Sequence, residues 1–125
     1  MILPKHFKYI SSCTELPIVL YNVPGRTGSN MLAETTLKLA DIPNIVAIKE
    51  ASGNMDQIME IIRLRKPDFG VISGDDAITM PLITAGADGV WGSYNSTSCD
   101  ITTPFTIYNG TSNPTLPTIG LINHN

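Results

Sequence analysis

The sequence predicts an α/β fold built on a parallel sheet, and two observations support this. Short apolar runs, each suited to a strand, alternate along the chain with helical patterns, which is typical of βα units. The first run leads into a loop rich in Pro and Gly, where open sheets and barrels of parallel strands place their chemistry. Periodicity leaves two closures open: a small doubly wound sheet, or part of an eight-stranded barrel that needs roughly 250 residues.

The first half of the pattern contains two helices around one strand. A helix is expected from Pro4 to Thr14, with Pro4 in its first turn, and a strand from Ile18 to Asn22. After the Gly-rich loop, a second helix is expected from Asn30, which suits an N-cap, to Ala40. Pro43 then stops it, because the residue before a proline is pushed toward extended geometry.

The second half repeats the alternation more clearly. Strands are expected from Asn44 to Glu50 and from Phe69 to Ser73, with a further short strand ending at Trp91. Helices are expected between them, one of which carries an apolar stripe at helical spacing: Met55, Ile58, Met59 and Ile62. The other begins at Gly74 and ends near Ala85, and the methionines Met55, Met59 and Met80 are expected to fill the core.

The composition changes after Trp91. Between residues 92 and 125 there is no Lys, Arg or Glu, and Asp100 is the only acidic side chain. No helical periodicity is present there, so we expect a domain over residues 1–91 and an irregular, charge-poor tail over residues 92–125. An out-of-frame or mis-joined end is an alternative origin for this tail.

The overall balance of charge excludes several classes of partner. Of the 125 residues, 42% are hydrophobic and 15% are charged, and 8 Lys and Arg stand against 11 Asp and Glu. No basic stripe is present to follow a phosphate backbone, so we expect no nucleic-acid partner. Neither a membrane span of roughly 20 apolar residues nor a signal peptide is visible. The expected location is cytoplasmic, with both cysteines reduced.

Three side chains at the ends of predicted strands form the candidate site. Tyr21 ends the first strand, Arg26 lies in the Gly-rich loop, and Lys49 follows four apolar residues in the second strand. Each has a plainer interpretation: a β-favoured aromatic, a solvated cation and a lysine that reaches out to solvent. Together, however, they suit a carbonyl-attacking amine with a nearby hydroxyl, and a guanidinium that binds a carboxylate.

The loop after the third strand is less specific. Asp75 and Asp76 are expected to cap the following helix rather than to catalyse. Gly74 either allows the backbone to approach a ligand or only shapes the turn. Trp91, at the end of a strand, is expected to pack.

Four motifs in order resemble the pyruvate-dependent class I aldolases, and within them the dihydrodipicolinate synthase family. They are YNVPGRTG from Tyr21, IKEASG from Ile48, SGDD from Ser73 and GADGV from Gly86. The family fold is a TIM barrel, and the motifs belong to its fifth to eighth strands. The resemblance therefore implies part of a (β/α)8 barrel, about strands 5–8 with their helices, and a C-terminal-half fragment of the family's length.

The resemblance also implies a reaction and a role for each candidate residue. Lys49 forms a Schiff base with pyruvate, and Tyr21 relays protons to that intermediate. Arg26 holds the carboxylate of aspartate semialdehyde, while Gly74 lines the pyruvate pocket. No metal and no organic cofactor is implied, because the lysine itself is the electron sink. The reaction is a condensation in lysine (diaminopimelate) biosynthesis.

Departures from the family keep other functions open. The first four strands are absent, as is a second tyrosine that a neighbouring subunit contributes in the homo-oligomeric family, so we expect this chain alone to be inactive. One alternative is the sister N-acetylneuraminate lyase, which usually lacks an arginine at the place of Arg26. The other is a non-catalytic half-barrel remnant.

Overall fold

The computed structural model describes residues 2–91, and these confirm an α/β fold on a parallel sheet. The predicted irregular tail over residues 92–125 lies outside this part of the chain. Within residues 2–91, no helix has both the length and the apolar character needed to cross a bilayer. The elements in chain order are α1 (Ile2–Ser12), β1 (Ile18–Asn22), α2 (Pro24–Thr27), α3 (Ala33–Leu39), β2 (Ile45–Glu50), α4 (Met55–Leu64), β3 (Gly70–Ser73), a 3-10 turn (Asp76–Ile78), α5 (Thr79–Thr84) and β4 (Gly89–Val90).

The sheet has the order β1-β2-β3-β4, with every neighbouring pair parallel. Each strand therefore pairs with the next strand along the chain, and each connection returns the chain to the same starting edge. In the pairing of β1 with β2, Tyr21 is opposite Lys49 and Asn22 is opposite Glu50. The residues that end each strand consequently meet at one edge of the sheet.

One face of the sheet is buried beneath the helices. Leu20, Ile48 and Val71, from three adjacent strands, are fully buried and belong to one core cluster. The helices complete that cluster with Leu39, Ile58, Ile61 and Leu82. Each such side chain contributes roughly 1.5–3 kcal/mol relative to an exposed one. The opposite face is more open, since Val19 and Tyr21 on β1 are 40% and 47% exposed.

Asn44 joins α1 to the sheet. Its Nδ2 donates to the carbonyl oxygens of Ser11 at 3.0 Å and of Thr14 at 2.9 Å. The last carbonyls of a helix lack partners within the helix, so this amide satisfies groups that would otherwise need water. The Asn44 carbonyl in turn accepts from the Ile18 amide at 2.7 Å, which places the end of α1 beside the start of β1 and β2.

The Gly-rich loop and the helix after it differ from the prediction. The loop contains the short helix α2, with Pro24 at its first position and Gly28 closing it at a left-handed φ of 69°. The next helix begins at Ala33, not at Asn30, and Leu32 is its N-cap residue. Asn30 does not cap it, because its side chain hydrogen-bonds to Asn22 and Gln57 instead.

The expectation that three methionines fill the core is wrong for two of them. Met59 and Met80 are 42% and 68% exposed, whereas Met55 packs against the core cluster. On α4 the buried residues are Gln57, Ile58 and Ile61. Met55, Ile58 and Ile62 of the predicted stripe contact the core, whereas Met59 does not. Gln57 is buried because its side chain has hydrogen-bond partners inside the protein, which hydrophobic periodicity cannot indicate.

Arg65 and Asp88 hold together the edge of the sheet where β3 begins. The Arg65 guanidinium donates to the carbonyl oxygens of Phe69 and Gly86, both at 2.9 Å, and also pairs with the Asp88 carboxylate. Asp88 in turn accepts from the Val71 amide at 2.7 Å. The ion pair is mostly buried, with side-chain exposures of 14% and 28%. The GADGV motif therefore contributes a structural carboxylate.

This cluster predicts a large cost for Arg65→Ala. The change removes the donors to two carbonyls and leaves Asp88 without its cation, so the free energy of unfolding should fall by about 2–3 kcal/mol. Urea denaturation followed by circular dichroism measures it. The matched control is Arg63→Ala on the same helix, which is exposed and should cost less than about 0.5 kcal/mol. Equal losses from the two variants would contradict the structural role of Arg65.

Candidate active site

Tyr21 and Lys49 lie side by side at the carboxyl ends of β1 and β2. They are directly paired across the two strands, and the Lys49 Nζ atom is 4.5 Å from the centroid of the Tyr21 ring. Lys49 is partly buried, whereas Tyr21 is 47% exposed. The alternation of β2 places Lys49 on the open face, so its amine can meet a small molecule while its stem is packed.

Trp91 forms a second aromatic wall for the same amine. Lys49 Nζ is 5.4 Å from the centroid of the indole ring, within the range of a cation–π contact. The Trp91 amide donates to the Ser73 carbonyl at 2.7 Å, which extends the pairing of β3 and β4 to the same edge. Sequence reasoning predicted only that Trp91 packs. Its position directly after β4 could have indicated a place in the site, because the carboxyl ends of parallel strands lie at the same edge of the sheet.

Gly74 makes room for the Lys49 side chain. A Cβ atom at this position would stand 2.9 Å from Lys49 Cε, closer than real Cβ contacts allow, and also 3.0 Å from Ala51 Cβ. The Gly74 amide donates to the Glu50 carbonyl at 2.7 Å, so the backbone of the loop is held against β2. Gly74 therefore packs closely against the Lys49 side chain, and its role in approaching a ligand stays a prediction.

Arg26 lies on α2, in the loop that follows β1, and its side chain is exposed. Its amide donates to the Val23 carbonyl at 2.9 Å, which fixes the backbone of the turn. Among residues 2–91 the guanidinium takes part in no ion pair. The structure thus brings together Tyr21, Lys49 and Gly74, and leaves Arg26 with a free cation on the adjoining loop.

Of the two aspartates after β3, Asp75 has the expected capping role, and Asp76 is the first residue of the turn that it caps. Asp75 Oδ1 accepts from the Ala77 amide at 3.0 Å and so caps the 3-10 turn that begins at Asp76. The carbonyl of Asp75 accepts from the hydroxyls of Ser73 at 2.9 Å and Thr79 at 2.8 Å. In the described part of the chain, no group of three or more His, Cys, Asp and Glu side chains is placed to hold a metal ion.

Sequence reasoning missed a buried polar network behind the site. Glu50 is fully buried, and its carboxylate accepts from the side chains of Asn22 and Gln57 and from the Ser52 amide. Further hydrogen bonds extend this set to Asn30 and the backbone of Met31. We call these six residues the Glu50 network. The sequence did contain one indication of this network: Glu50 directly follows Lys49 at the end of an apolar strand, so the two side chains point to opposite faces and one of them must be buried.

Comparison with known proteins identifies the family. The sequence profile of the "Dihydrodipicolinate synthetase family" matches residues 2–108, which includes the described residues and runs beyond them. The 4-hydroxy-tetrahydrodipicolinate synthase 1 of Halalkalibacterium halodurans is 62% identical over 86 residues, and a 4-hydroxy-tetrahydrodipicolinate synthase of Phocaeicola vulgatus is 64% identical over 87. Both matches cover 69% of this chain but 29% of the relative, so the chain spans under a third of their length.

Solved structures agree with the sequence comparison. The DHDPS of Cyanidioschyzon merolae, determined with lysine bound, superposes with a TM-score of 0.68 at 55% identity, over 70% of this chain and 30% of that one. The dihydrodipicolinate synthase of Thermotoga maritima gives the same TM-score at 51% identity, over 70% and 31%. The resemblance expected from the four motifs is therefore confirmed, and the chain belongs to the dihydrodipicolinate synthetase family.

Proposed function

We propose that this chain carries the Schiff-base centre of a 4-hydroxy-tetrahydrodipicolinate synthase, which condenses pyruvate with aspartate semialdehyde. The observation that carries the proposal is the placement of the Lys49 amine against the Tyr21 ring, where two parallel strands end. The names of the relatives support the same reaction. Because the chain spans under a third of their length, the activity proposed is that of the completed barrel.

Lys49 is the nucleophile in this proposal. Its neutral amine attacks the C2 carbonyl carbon of pyruvate, and loss of water leaves a protonated imine on Nζ. The imine nitrogen accepts the electron pair when a proton leaves C3, which gives an enamine. The enamine carbon then forms a bond to the aldehyde carbon of the second substrate, whose oxygen takes up a proton to become a hydroxyl, and hydrolysis of the re-formed imine returns the lysine amine. No metal or organic cofactor is needed, because the imine itself stores the electron pair.

Tyr21 and Arg26 take the roles that their positions suit. The Tyr21 hydroxyl belongs to the half-exposed ring beside Lys49, so it is the proton relay during formation and loss of water. Arg26 offers an unpaired guanidinium on the adjoining loop, and binds the carboxylate of aspartate semialdehyde through a two-pronged hydrogen bond. Gly74 completes the pyruvate pocket by leaving space beside the lysine stem.

The architecture proposed for the complete enzyme is a (β/α)8 barrel. The four parallel strands in sequence order suit its fifth to eighth strands, and residues 1–91 form the corresponding part, with the tail over residues 92–125 outside it. The open face of β1, where Val19 and Tyr21 are exposed, would then face the interior of the closed barrel. The completed enzyme is a homo-oligomer in the cytoplasm.

The Schiff base is tested by trapping it with pyruvate. We expect borohydride to reduce a pyruvate imine on Lys49, and not on Lys5, Lys8, Lys38 or Lys66. These four lysines are exposed, and within residues 2–91 none of them lies over an aromatic ring as Lys49 does. Peptide mass spectrometry locates the adduct. Lys49→Arg keeps the positive charge but cannot form the imine, and serves as the control.

The same trapping is repeated in a completed barrel, which separates the enzyme from a non-catalytic half-barrel. This chimaera replaces the matching segment of the full-length Halalkalibacterium halodurans relative with residues of this chain. Absence of an adduct on Lys49 in a folded chimaera would sink the Schiff-base assignment and leave the half-barrel remnant. An adduct without use of aspartate semialdehyde would favour the sister lyase.

Arg26→Ala should separate the two substrates. Loss of a charge-assisted hydrogen bond to the semialdehyde carboxylate is expected to lower kcat/KM for that substrate roughly 10- to 100-fold in the chimaera. Trapping of pyruvate on Lys49 should change far less, because the arginine is not in the imine pocket. Steady-state kinetics and adduct yield measure the two effects. An equal loss in both would show that Arg26 supports the fold of the loop instead.

Gly74→Ala should disturb the amine without unfolding the protein. The new methyl group would stand 2.9 Å from Lys49 Cε and 3.0 Å from Ala51 Cβ, so both the lysine side chain and the turn after β2 must shift. A displaced nucleophile should lower the rate of adduct formation roughly 10- to 100-fold. The control is Gly89→Ala, where a Cβ atom meets nothing within 4 Å. If Gly74→Ala trapped pyruvate as fast as Gly89→Ala, the close approach would have no role in the chemistry.

A further inference from the structure

We propose that Glu50 is a positioning residue for Lys49 and Tyr21, acting through the buried network on the opposite face of the sheet. Glu50 contacts neither the amine nor the ring; its carboxylate fixes the strand ends and loops from which they project. The inference rests on the proposed function for its catalytic meaning. The positioning of the lysine itself is a physical property that can be measured without pyruvate.

The Glu50 carboxylate is the acceptor in each of its hydrogen bonds. Asn22 Nδ2 donates to both carboxylate oxygens at 3.0 and 3.1 Å, the Ser52 amide donates to Oε1 at 3.0 Å, and Gln57 Nε2 donates to Oε2 at 3.2 Å. A carboxylate is the side chain that only accepts, through two oxygens with several lone-pair positions. A glutamine at this position would direct an NH₂ group against one or more of these donors.

The donors come from three separate elements. Asn22 is the last residue of β1, Ser52 lies in the loop after β2, and Gln57 is in the first turn of α4. Glu50 therefore accepts hydrogen bonds from three segments at once, and its carboxylate is the group at which their donors meet.

The network also reaches the exit of the loop that carries Arg26. Asn22 Oδ1 accepts from the Met31 amide at 2.9 Å, and Gln57 Nε2 donates to the Met31 carbonyl at 3.1 Å. Asn30 is bonded to both amides, accepting from Asn22 Nδ2 at 2.9 Å and donating to Gln57 Oε1 at 2.9 Å. The chain on both sides of α2 is thus held by groups that meet at Glu50.

The link to the site is the register of the sheet. Asn22 is paired with Glu50, and the preceding pair is Tyr21 with Lys49. Successive side chains of a strand point to opposite faces, so the buried pair and the reactive pair are alternate rows of the same two strands. Separation or slippage of Asn22 and Glu50 moves the Tyr21 ring away from the Lys49 amine, although no atom of the network touches either.

A buried carboxylate can also stabilise the fold without positioning Lys49, so the test must separate these two roles. The readout is the reactivity of Lys49 toward trace acetic anhydride, measured by peptide mass spectrometry. It is divided by the mean reactivity of Lys5, Lys8, Lys38 and Lys66 in the same sample. Both values are taken where circular dichroism shows a folded chain, so global unfolding does not enter the ratio.

We expect Glu50→Gln to raise the normalised reactivity of Lys49 about three-fold or more, because local opening releases the amine from the rings of Tyr21 and Trp91. The matched control is Asp88→Asn, the same change of acid to amide in a cluster at the other end of β3. It should destabilise the chain and leave the ratio unchanged.

A ratio that is unchanged in Glu50→Gln, or that rises equally in Asp88→Asn, overturns the proposal. If Glu50→Gln does not fold, Glu50→Asp replaces it, since the shorter carboxylate keeps the charge but cannot reach all three donors; the same ratio then decides. The pyruvate adduct is not used here. Failure to trap pyruvate would contradict the proposed function without affecting the reactivity ratio. An unchanged ratio in Glu50→Gln would contradict the positioning role without affecting the Schiff-base assignment.

Discussion

The parallel pairing of β1 with β2 is the constraint on which the rest of the structure depends. One register brings Tyr21 opposite Lys49 and, one residue later, Asn22 opposite Glu50. A slip of one residue would send every side chain of a strand to the other face. The open face would then carry the acid, and the helix-covered face would have to bury the lysine. Both the site and the core therefore require the same register.

The edges of the sheet are held by two acids with different partners. At the beginning of β3, Asp88 pairs with a cation, Arg65, and both remain partly exposed. At the end of β2, Glu50 is fully buried and is held by amide donors alone. Burial of a charge is costly unless its hydrogen-bonding capacity is met. The four bonds to Glu50 meet it without placing a second cation beside Lys49.

The loops between strands and helices use both backbone groups and side chains to shape the site. Gly74 acts by having no side chain, and its amide is bound to β2 while its missing Cβ leaves space for Lys49. Asp75 caps the turn that follows, so this residue of the SGDD motif fixes the backbone of the loop. Trp91 reaches the amine from β4, two strands away from β2. Lys49 is thus flanked by Tyr21 of β1 and by the residues that follow β3 and β4, Gly74 and Trp91.

The sequence alone determined the features that depend on neighbours along the chain. The bounds of β1, the presence of an amphipathic helix at α4 and the capping by Asp75 follow from apolar period and turn chemistry, which are local. The motifs indicated the family and the candidate residues Tyr21, Lys49, Gly74 and Arg26. The assignment to barrel strands 5–8 and the boundary at residue 91 stay predictions.

Only the tertiary structure decided which polar groups meet. Asn22 and Glu50 are 28 residues apart and Asn30 and Gln57 are 27 apart, so no local pattern relates them. Asn30 has the composition of an N-cap, yet long-range hydrogen bonds take its side chain elsewhere. The burial of Gln57 on α4 has the same cause, because its side chain bonds to Glu50 and Met31. The hydrophobic period of the sequence predicts which face of a helix or strand is apolar. Hydrogen bonds between elements distant in sequence decide which polar residues are buried together with that face.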